Sequence, residues 1–182
     1  MDTISVIIPN FNRANLIGET LENILNQTLP PHEIIVVDDG STDNIAPVIA
    51  KYQDRVIFTK NQRGKGPGGA RNTGLDMATG NYIKFFDSDD VMTLNSLEIQ
   101  LKRLKESNLP IIYSPYVHAA KENGVWKQLD PIVGFDAIVD QTIVDCMVQG
   151  FFQPIPTMLI QKEWLLEIGH WREGVIAEDY DL

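Results

Sequence analysis

The first half of the chain alternates continuous apolar runs with stretches whose apolar residues recur every three or four positions. Ile4-Ser5-Val6-Ile7-Ile8 is a β-branched run of the kind found in a central strand covered on both faces. Pro9-Asn10-Phe11-Asn12-Arg13 breaks it. From Asn15 onward Ile17, Leu21 and Ile24 keep helical spacing, with Glu19 and Glu22 elsewhere on the helix, and Pro30-Pro31 stops it. Glu33-Ile34-Ile35-Val36-Val37 predicts a second buried strand, which runs out into Asp38-Asp39-Gly40-Ser41-Thr42-Asp43. A short helix should follow, capped by Asp43 or Asn44, with Pro47 in its first turn and Val48, Ile49 and Tyr52 facing inward. Val56-Ile57-Phe58-Thr59 predicts a third strand. The glycine-rich segment 64–72 then leads into a helix through Leu75 and Ala78, with Gly80 as its stop. Tyr82-Ile83-Lys84-Phe85-Phe86 predicts a fourth strand. The order β-α-β-α-β-α-β implies a parallel sheet with right-handed crossovers.

The second half reads as mixed. Thr93 is placed to cap a helix whose Leu97, Leu101 and Leu104 form one stripe, and Pro110-Ile111-Ile112-Tyr113 predicts a strand. Asn123-Gly124, between Tyr116-Val117 and Val125-Trp126, is a hairpin signal. Phe135, Val139, Ile143 and Met147 step by four and predict a helix with a core stripe. Pro154 and Pro156 mark a loop, Thr157 to Ile160 a strand, and Glu163 to Ile168 a short helix. No repeat or linker divides the chain. A single α/β domain over residues 1–182 is expected, with the parallel pattern over 1–106 and the mixed part over 107–182.

Composition narrows the function. At 182 residues, 43% hydrophobic and 22% charged, the chain is ordinary for a globular protein. A net charge of −10 argues against general affinity for nucleic acid or anionic membrane. An anionic small substrate stays open, because a bound cation inverts the local sign. One cysteine gives no disulfide framework, and His32, His118 and His170 lack the spacing of a zinc site. No signal peptide or membrane-length apolar run is present in the sequence, so a cytoplasmic chain is expected, with association at the inner membrane face left open. The ending Ala177-Glu178-Asp179-Tyr180-Asp181-Leu182 reads as the start of a feature, which suggests a piece of a longer catalytic domain.

The chemistry lies where strands end in acids. After Phe85-Phe86 come Asp87-Ser88-Asp89-Asp90, carboxylates projected from a rigid strand end. Their mutual repulsion is offset by a divalent cation that keeps sites for substrate phosphates. A solvated loop capping the next helix is the plainer alternative. Asp38-Asp39 is either a turn built from turn-forming residues or a pair of acceptors for a base N–H or a ribose hydroxyl. The glycine-rich segment is neither a Walker loop nor a dinucleotide fingerprint. It is read as a mobile loop bringing Arg71 and backbone amides to a diphosphate, against a flexible surface loop with Arg71 in a solvated ion pair. A receiver domain would carry acids after the first strand, and a nucleotidyltransferase a basic glycine loop there. This sequence has neither.

Four segments together carry a family resemblance: Val6 to Asn12, Val36 to Asp43, Gly69 to Gly74, and Phe86-Asp87-Ser88-Asp89-Asp90. Their order resembles that of family 2 glycosyltransferases, GT-A fold enzymes that transfer sugars from nucleotide donors with inversion. The likeness is dense over residues 3–106 and thin beyond. It implies that Pro9 and Phe11 line the base pocket and that Asp39 reads uracil beside Asp38. Asp87 would contact ribose or metal and Asp89 the metal, Mn²⁺ or Mg²⁺. Glu178-Asp179 is similar to the acidic pair that supplies the base, with Asp179 taking the proton. Partners would be a nucleotide-sugar donor, a UDP-sugar by expectation, and a glycan or lipid-linked acceptor in surface polysaccharide synthesis. A catalytically silent nucleotide-sugar-binding module of the same fold is the alternative.

Overall fold

Strand β1 (Ile4–Asn10) lies at the centre of the protein, with β2 (Glu33–Asp38) on one side and β4 (Tyr82–Phe85) on the other, both parallel to it. In this computed structural model, residues 2–133 and 154–174 are described. β3 (Ile57–Lys60) extends the parallel sheet beyond β2. On the other flank β8 (Met158–Gln161) runs antiparallel to β4 and carries β5 (Ile111–Tyr113) at the edge, giving the order β3-β2-β1-β4-β8-β5. The chain therefore leaves β1 toward β2 in one direction and reaches β4 in the other. That reversal opens a crevice between the carboxyl ends of β1 and β4, where ligands of open α/β sheets bind.

The β-branched run of β1 is apolar on both faces because both are covered. Ile4, Val6 and Ile8 face helices α1 (Ile17–Leu25), α2 (Ala46–Ile49) and α4 (Ser96–Ser107) through Ile17, Leu21, Ile24, Ile49, Leu97, Leu101 and Leu104. Ile7, with Ile35 and Val37 of β2, faces α3 (Pro67–Met77), α5 (Lys162–Ile168) and Trp171 through Ala70, Leu75 and Leu165. Each fully buried Ile or Leu contributes roughly 1.5–3 kcal/mol. A three-layer α/β/α sandwich with a mostly parallel sheet results. α3 lies close on β1 because residue 74 is glycine: a Cβ there would meet Ile7 Cγ2 at 2.3 Å.

Several local expectations are corrected. Neither Asp43 nor Asn44 caps α2. The cap position is Ile45, and Asp43 Oδ2 instead accepts from the Ala14 N–H at 2.7 Å. Thr93 does not cap α4 with its hydroxyl; Asn95 holds that position and Thr93 offers its carbonyl to Ser96 N. α3 starts inside the glycine-rich segment, with Pro67 in its first turn, and it ends before Gly80 at an extended Ala78. Pro67 is pre-shaped for a helix start, and contacts with residues far away in the chain override the poor propensity of Gly68-Gly69.

The hairpin forms from β6 (Ala119–Glu122) and β7 (Val125–Gln128), with φ of 51° at Asn123 and 79° at Gly124. Two successive positive φ values are the turn that matches strand twist. Tyr116 pairs instead with Val133. The helix expected around Phe135, Val139, Ile143 and Met147 lies outside the described residues, as do Glu178 and Asp179.

Candidate functional site

Three turns at the carboxyl ends of β1, β2 and β4 are joined by side chains. Asn12, after β1, has a positive φ of 52°. Asparagine tolerates that conformation, and here its N–H donates to Ser41 Oγ while its Oδ1 accepts from Thr42 N. The β1 and β2 turns are thereby locked together. The β4 turn is held from α1: Thr20 Oγ1 donates to the carbonyls of Ser88 and Asp90, Asn23 exchanges two bonds with Met92, and Gln27 donates to the Thr93 carbonyl. Thr20 and Asn23 are three apart on one face of α1, and Gln27 continues the line just beyond the helix end at Leu25.

The turns enclose a cleft of about 560 Å³ lined by Pro9, Asn10, Phe11, Arg13, Asp39, Lys65 to Pro67, Ala70, Arg71, Asp87, Ser88 and Asp89. Asp39 and the pair Asp87 and Asp89 thus share one cavity. Its charge is balanced, with Arg13, Lys65 and Arg71 against Asp39, Asp87 and Asp89. Phe11 is 45% exposed with Lys65 Nζ 5.4 Å from its ring centre, so an aromatic face stands at the rim. Aromatic faces of this kind stack on bases.

The acids after β2 are held by uncharged donors from their own turn, from β1 and from the segment after β3. Asp39 Oδ1 accepts from Asn61 Nδ2 at 2.6 Å and Oδ2 from the Gly66 N–H at 2.9 Å. Asp38 is buried beneath the turn, accepting from the Ser41 N–H at 3.2 Å and from Asn10 Nδ2 at 3.4 Å, and it is not among the residues lining the cleft. Its place suits the turn-forming reading of this pair. The acids after β4 face cations. Asp89 Oδ2 pairs with Arg13 Nε at 3.0 Å, and Asp87 Oδ1 with Arg71 Nη2 at 3.5 Å.

Arg71 overturns the surface-loop alternative, because its side chain is 4% exposed and its guanidinium lies 5.3 Å from the Trp171 ring centre. Trp171 packs edge-on to Phe85 at 5.7 Å. Asn72 fixes it with a reciprocal pair, donating to the Trp171 carbonyl at 2.8 Å and accepting from its N–H at 2.9 Å. Glu173 reaches the Gly64 N–H at 2.7 Å and holds the glycine segment from outside. A carboxylate with such donors is stabilised ionised, and the Gly64 N–H, then Asn72, hold Glu173 below the usual carboxylate range.

Asp90 differs from its neighbours. It lines a second, more apolar cleft of about 630 Å³ with Lys84, Phe86, Met92, Tyr116 and Pro154, so the acidic turn is a wall between two cavities. Asp90 is exposed as a residue, and the protein packed around its carboxyl first, then the charges of Asp87 and Asp89, push that carboxyl up to about 6. Lys84, fully buried on β4 and hydrogen-bonded to Gln100 Oε1 at 3.0 Å, is pushed down to about 7 by burial, with Asp90 opposing.

The sequence reading missed Arg13, the Thr20-Asn23-Gln27 line, Asn72, Trp171 and Glu173. Uncharged polar residues at helical spacing beside an apolar stripe were a signal for that line. Nothing local announces a contact between positions 72 and 171.

Among the described residues no three His, Cys, Asp or Glu side chains converge as a metal cage. A hard cation held by one or two carboxylates plus substrate phosphates needs no such cage. Asp87 and Asp89 are carboxylates on the cleft wall, so the donor set fits a cation whose remaining sites are filled by water or by nucleotide phosphates.

Known proteins give the family and the fold. The model of Glycosyl transferase family 2 matches residues 5–169. The chain belongs to that family. S. aureus TarS 1-349 in complex with UDP-GlcNAc has a TM-score of 0.76 at 25% identity, over 97% of this chain and 51% of that TarS fragment. The family 2 chain is also 36% identical over 114 residues to the UDP-Glc:alpha-D-GlcNAc-diphosphoundecaprenol beta-1,3-glucosyltransferase WfgD of Escherichia coli, covering 62% of this chain and 45% of WfgD. An uncharacterized glycosyltransferase of Haemophilus influenzae is 31% identical over 168 residues, 90% of this chain and 64% of that protein. In each match the chain spans less than two thirds of the relative's own length. The sandwich is a GT-A-type fold, as its neighbours are.

Proposed function

We propose that this family 2 chain is the donor-binding part of a metal-dependent, inverting glycosyltransferase that uses a UDP-sugar. The single observation that supports it best is the shared cleft of Asp39, Asp87 and Asp89 with Phe11, Lys65 and Arg71. Phe11 and Pro9 offer the uracil an apolar face, and Asp39 is the acceptor beside it. Asp38 acts on the nucleotide through Asp39, by shaping the turn. Arg71 and Lys65 bear on the diphosphate, where charge grows as the nucleoside diphosphate departs. Mn²⁺ or Mg²⁺, held by Asp89 and Asp87, would supply Lewis-acid stabilisation of that leaving group.

Asp179, with Glu178 beside it in the sequence, is the proposed base for the acceptor hydroxyl. A single displacement then inverts the anomeric carbon, and no covalent nucleophile is needed. The TarS complex with UDP-GlcNAc and the name of WfgD support a UDP-sugar donor, and WfgD's name supports a lipid-linked acceptor; a surface polysaccharide is the product this proposal expects. Such an acceptor would place the reaction at the cytoplasmic face of a membrane. Among the described residues no helix is long and apolar enough to cross one.

A thermal-shift panel of nucleotide sugars with Mn²⁺ tests the donor. UDP-sugars are expected to raise the melting temperature above GDP- and ADP-sugars, and equal shifts for all would overturn uracil reading. Transfer by the longer natural protein, lost in Asp179→Asn, tests the base; transfer retained would refute its assignment. No transfer by either would favour a silent binding module.

A further inference from the structure

We propose that Arg13 is the resident counter-ion of the site, competing with a divalent cation for Asp89 and, when displaced, turning to the nucleotide's phosphates. This rests on the reading of the cleft as a metal–diphosphate site. Arg13 Nε reaches Asp89 Oδ2 at 3.0 Å, on the carboxylate that the cation would use. A guanidinium and a divalent cation repel each other at one carboxylate, so each weakens the other's hold. The pair is cheap to open, since the two side chains are 47% and 42% exposed, and exposed pairs contribute little.

The three cations lining the cleft are not equivalent. Arg71 is enclosed, with its side chain 4% exposed beside Trp171, and Lys65 lies over the Phe11 ring. Arg13 combines a fixed base with a half-exposed head. Its backbone follows the locked Asn12, and its carbonyl accepts from Leu16 N and Ile17 N at the start of α1. A pinned backbone keeps the guanidinium within the cleft whichever partner it takes. A phosphate offers the planar fork a bidentate partner at least as good as the carboxylate it leaves. Arg13 would thus keep the acids neutralised before loading and add to diphosphate binding afterwards.

The test is a Mn²⁺ titration of the full chain followed by electron paramagnetic resonance, with UDP affinity at saturating Mn²⁺ measured by calorimetry. The proteins are wild type, Arg13→Gln and, as a charge control on an exposed face of α4, Arg103→Gln. Without nucleotide, Arg13→Gln is expected to bind Mn²⁺ about two- to fivefold more tightly. With saturating Mn²⁺ it is expected to bind UDP about five- to tenfold more weakly. Loss of a merely structural residue would weaken both, so the opposite signs carry the inference. Arg103→Gln should change neither. Unchanged or weaker Mn²⁺ binding by Arg13→Gln, unchanged UDP binding, or the same two shifts in Arg103→Gln overturns the proposal alone. Absence of Mn²⁺ binding by every variant, even with UDP, overturns the metal reading and this proposal together. Binding that appears only in Arg13→Gln supports it.

Discussion

The two acidic strand ends look alike in sequence and differ in what holds their charge. After β2, Asp38 and Asp39 are satisfied from within: backbone N–H groups of Ser41 and Gly66 and the amides of Asn10 and Asn61 point at them. After β4, Asp87 and Asp89 face guanidiniums, and Asp90 stands on the wall of the second cleft, where the charge of the buried Lys84 only partly offsets the acids beside it. Hydrogen bonds from the backbone fix an acid's position and leave it as architecture or as a precise acceptor. Ion pairs with side chains leave it exchangeable. The first end is thus suited to shape a nucleoside pocket and the second to trade one cation for another.

That contrast breaks most visibly in stability. Asp38→Ala leaves buried donors without an acceptor and is expected to cost about 1–3 kcal/mol. In a chain of this size that is about 2–4 °C of melting temperature per kcal/mol. Asp89→Ala removes only an exposed ion pair and is expected to leave the melting temperature within about a degree. Comparable losses in both variants, measured by thermal denaturation, would erase the distinction. Next in size, Asp39→Asn turns one of two acceptor oxygens into a donor facing Asn61 or the Gly66 N–H. UDP affinity is expected to fall about five- to tenfold by calorimetry, with its dependence on Mn²⁺ retained. Loss of the metal dependence in this variant would mean that the two ends are not separable.

The smallest effect sharpens the β4 end through pH. Burial holds Lys84 at about 7, below its ordinary 10.5, so between those values the unfolded chain binds more protons than the folded one. Stability contributed through this group therefore rises with pH across that window, and the cost of the buried ammonium is fully present below it. The difference in melting temperature between wild type and Lys84→Met should change in favour of wild type from pH 7 to 10. A constant difference would show that Lys84 does not titrate there.

Continuous β-branched runs announced β1, β2 and β4 because burial on both faces leaves no polar alternation to read. The acids at strand ends were legible for the same reason: they follow directly where such a run stops. What they do was only half legible. Asp38 and Asp39 are adjacent in sequence, yet one lies under the turn and the other lines the cleft, a difference set by which backbone N–H groups the folded turn presents. The cap assigned to Asp43 failed because the Ala14 N–H in the β1 loop holds its carboxylate, and that assigned to Thr93 failed because the cap position of α4 lies two residues later, at Asn95. The glycine-rich segment hid a helix, since contacts from Asp39, Asn61, Trp171, Arg172 and Glu173 order its glycines; a Cβ on Gly68 would meet the Arg172 carbonyl at 2.8 Å. Such long-range partners leave no local mark. Arg13 shows the same limit, a basic residue in a turn until Asp89 comes beside it.

The central claim is that the β4 acids hold a cation against the pyrophosphate of a nucleotide bound at the β2 end. Calorimetry of UDP binding to wild type and Asp89→Ala, each with and without Mn²⁺, tests it most directly. Mn²⁺ is expected to tighten UDP binding in wild type, and Asp89→Ala to retain only the weaker, metal-independent affinity. Equal UDP affinity with and without Mn²⁺ in the wild-type chain would contradict it.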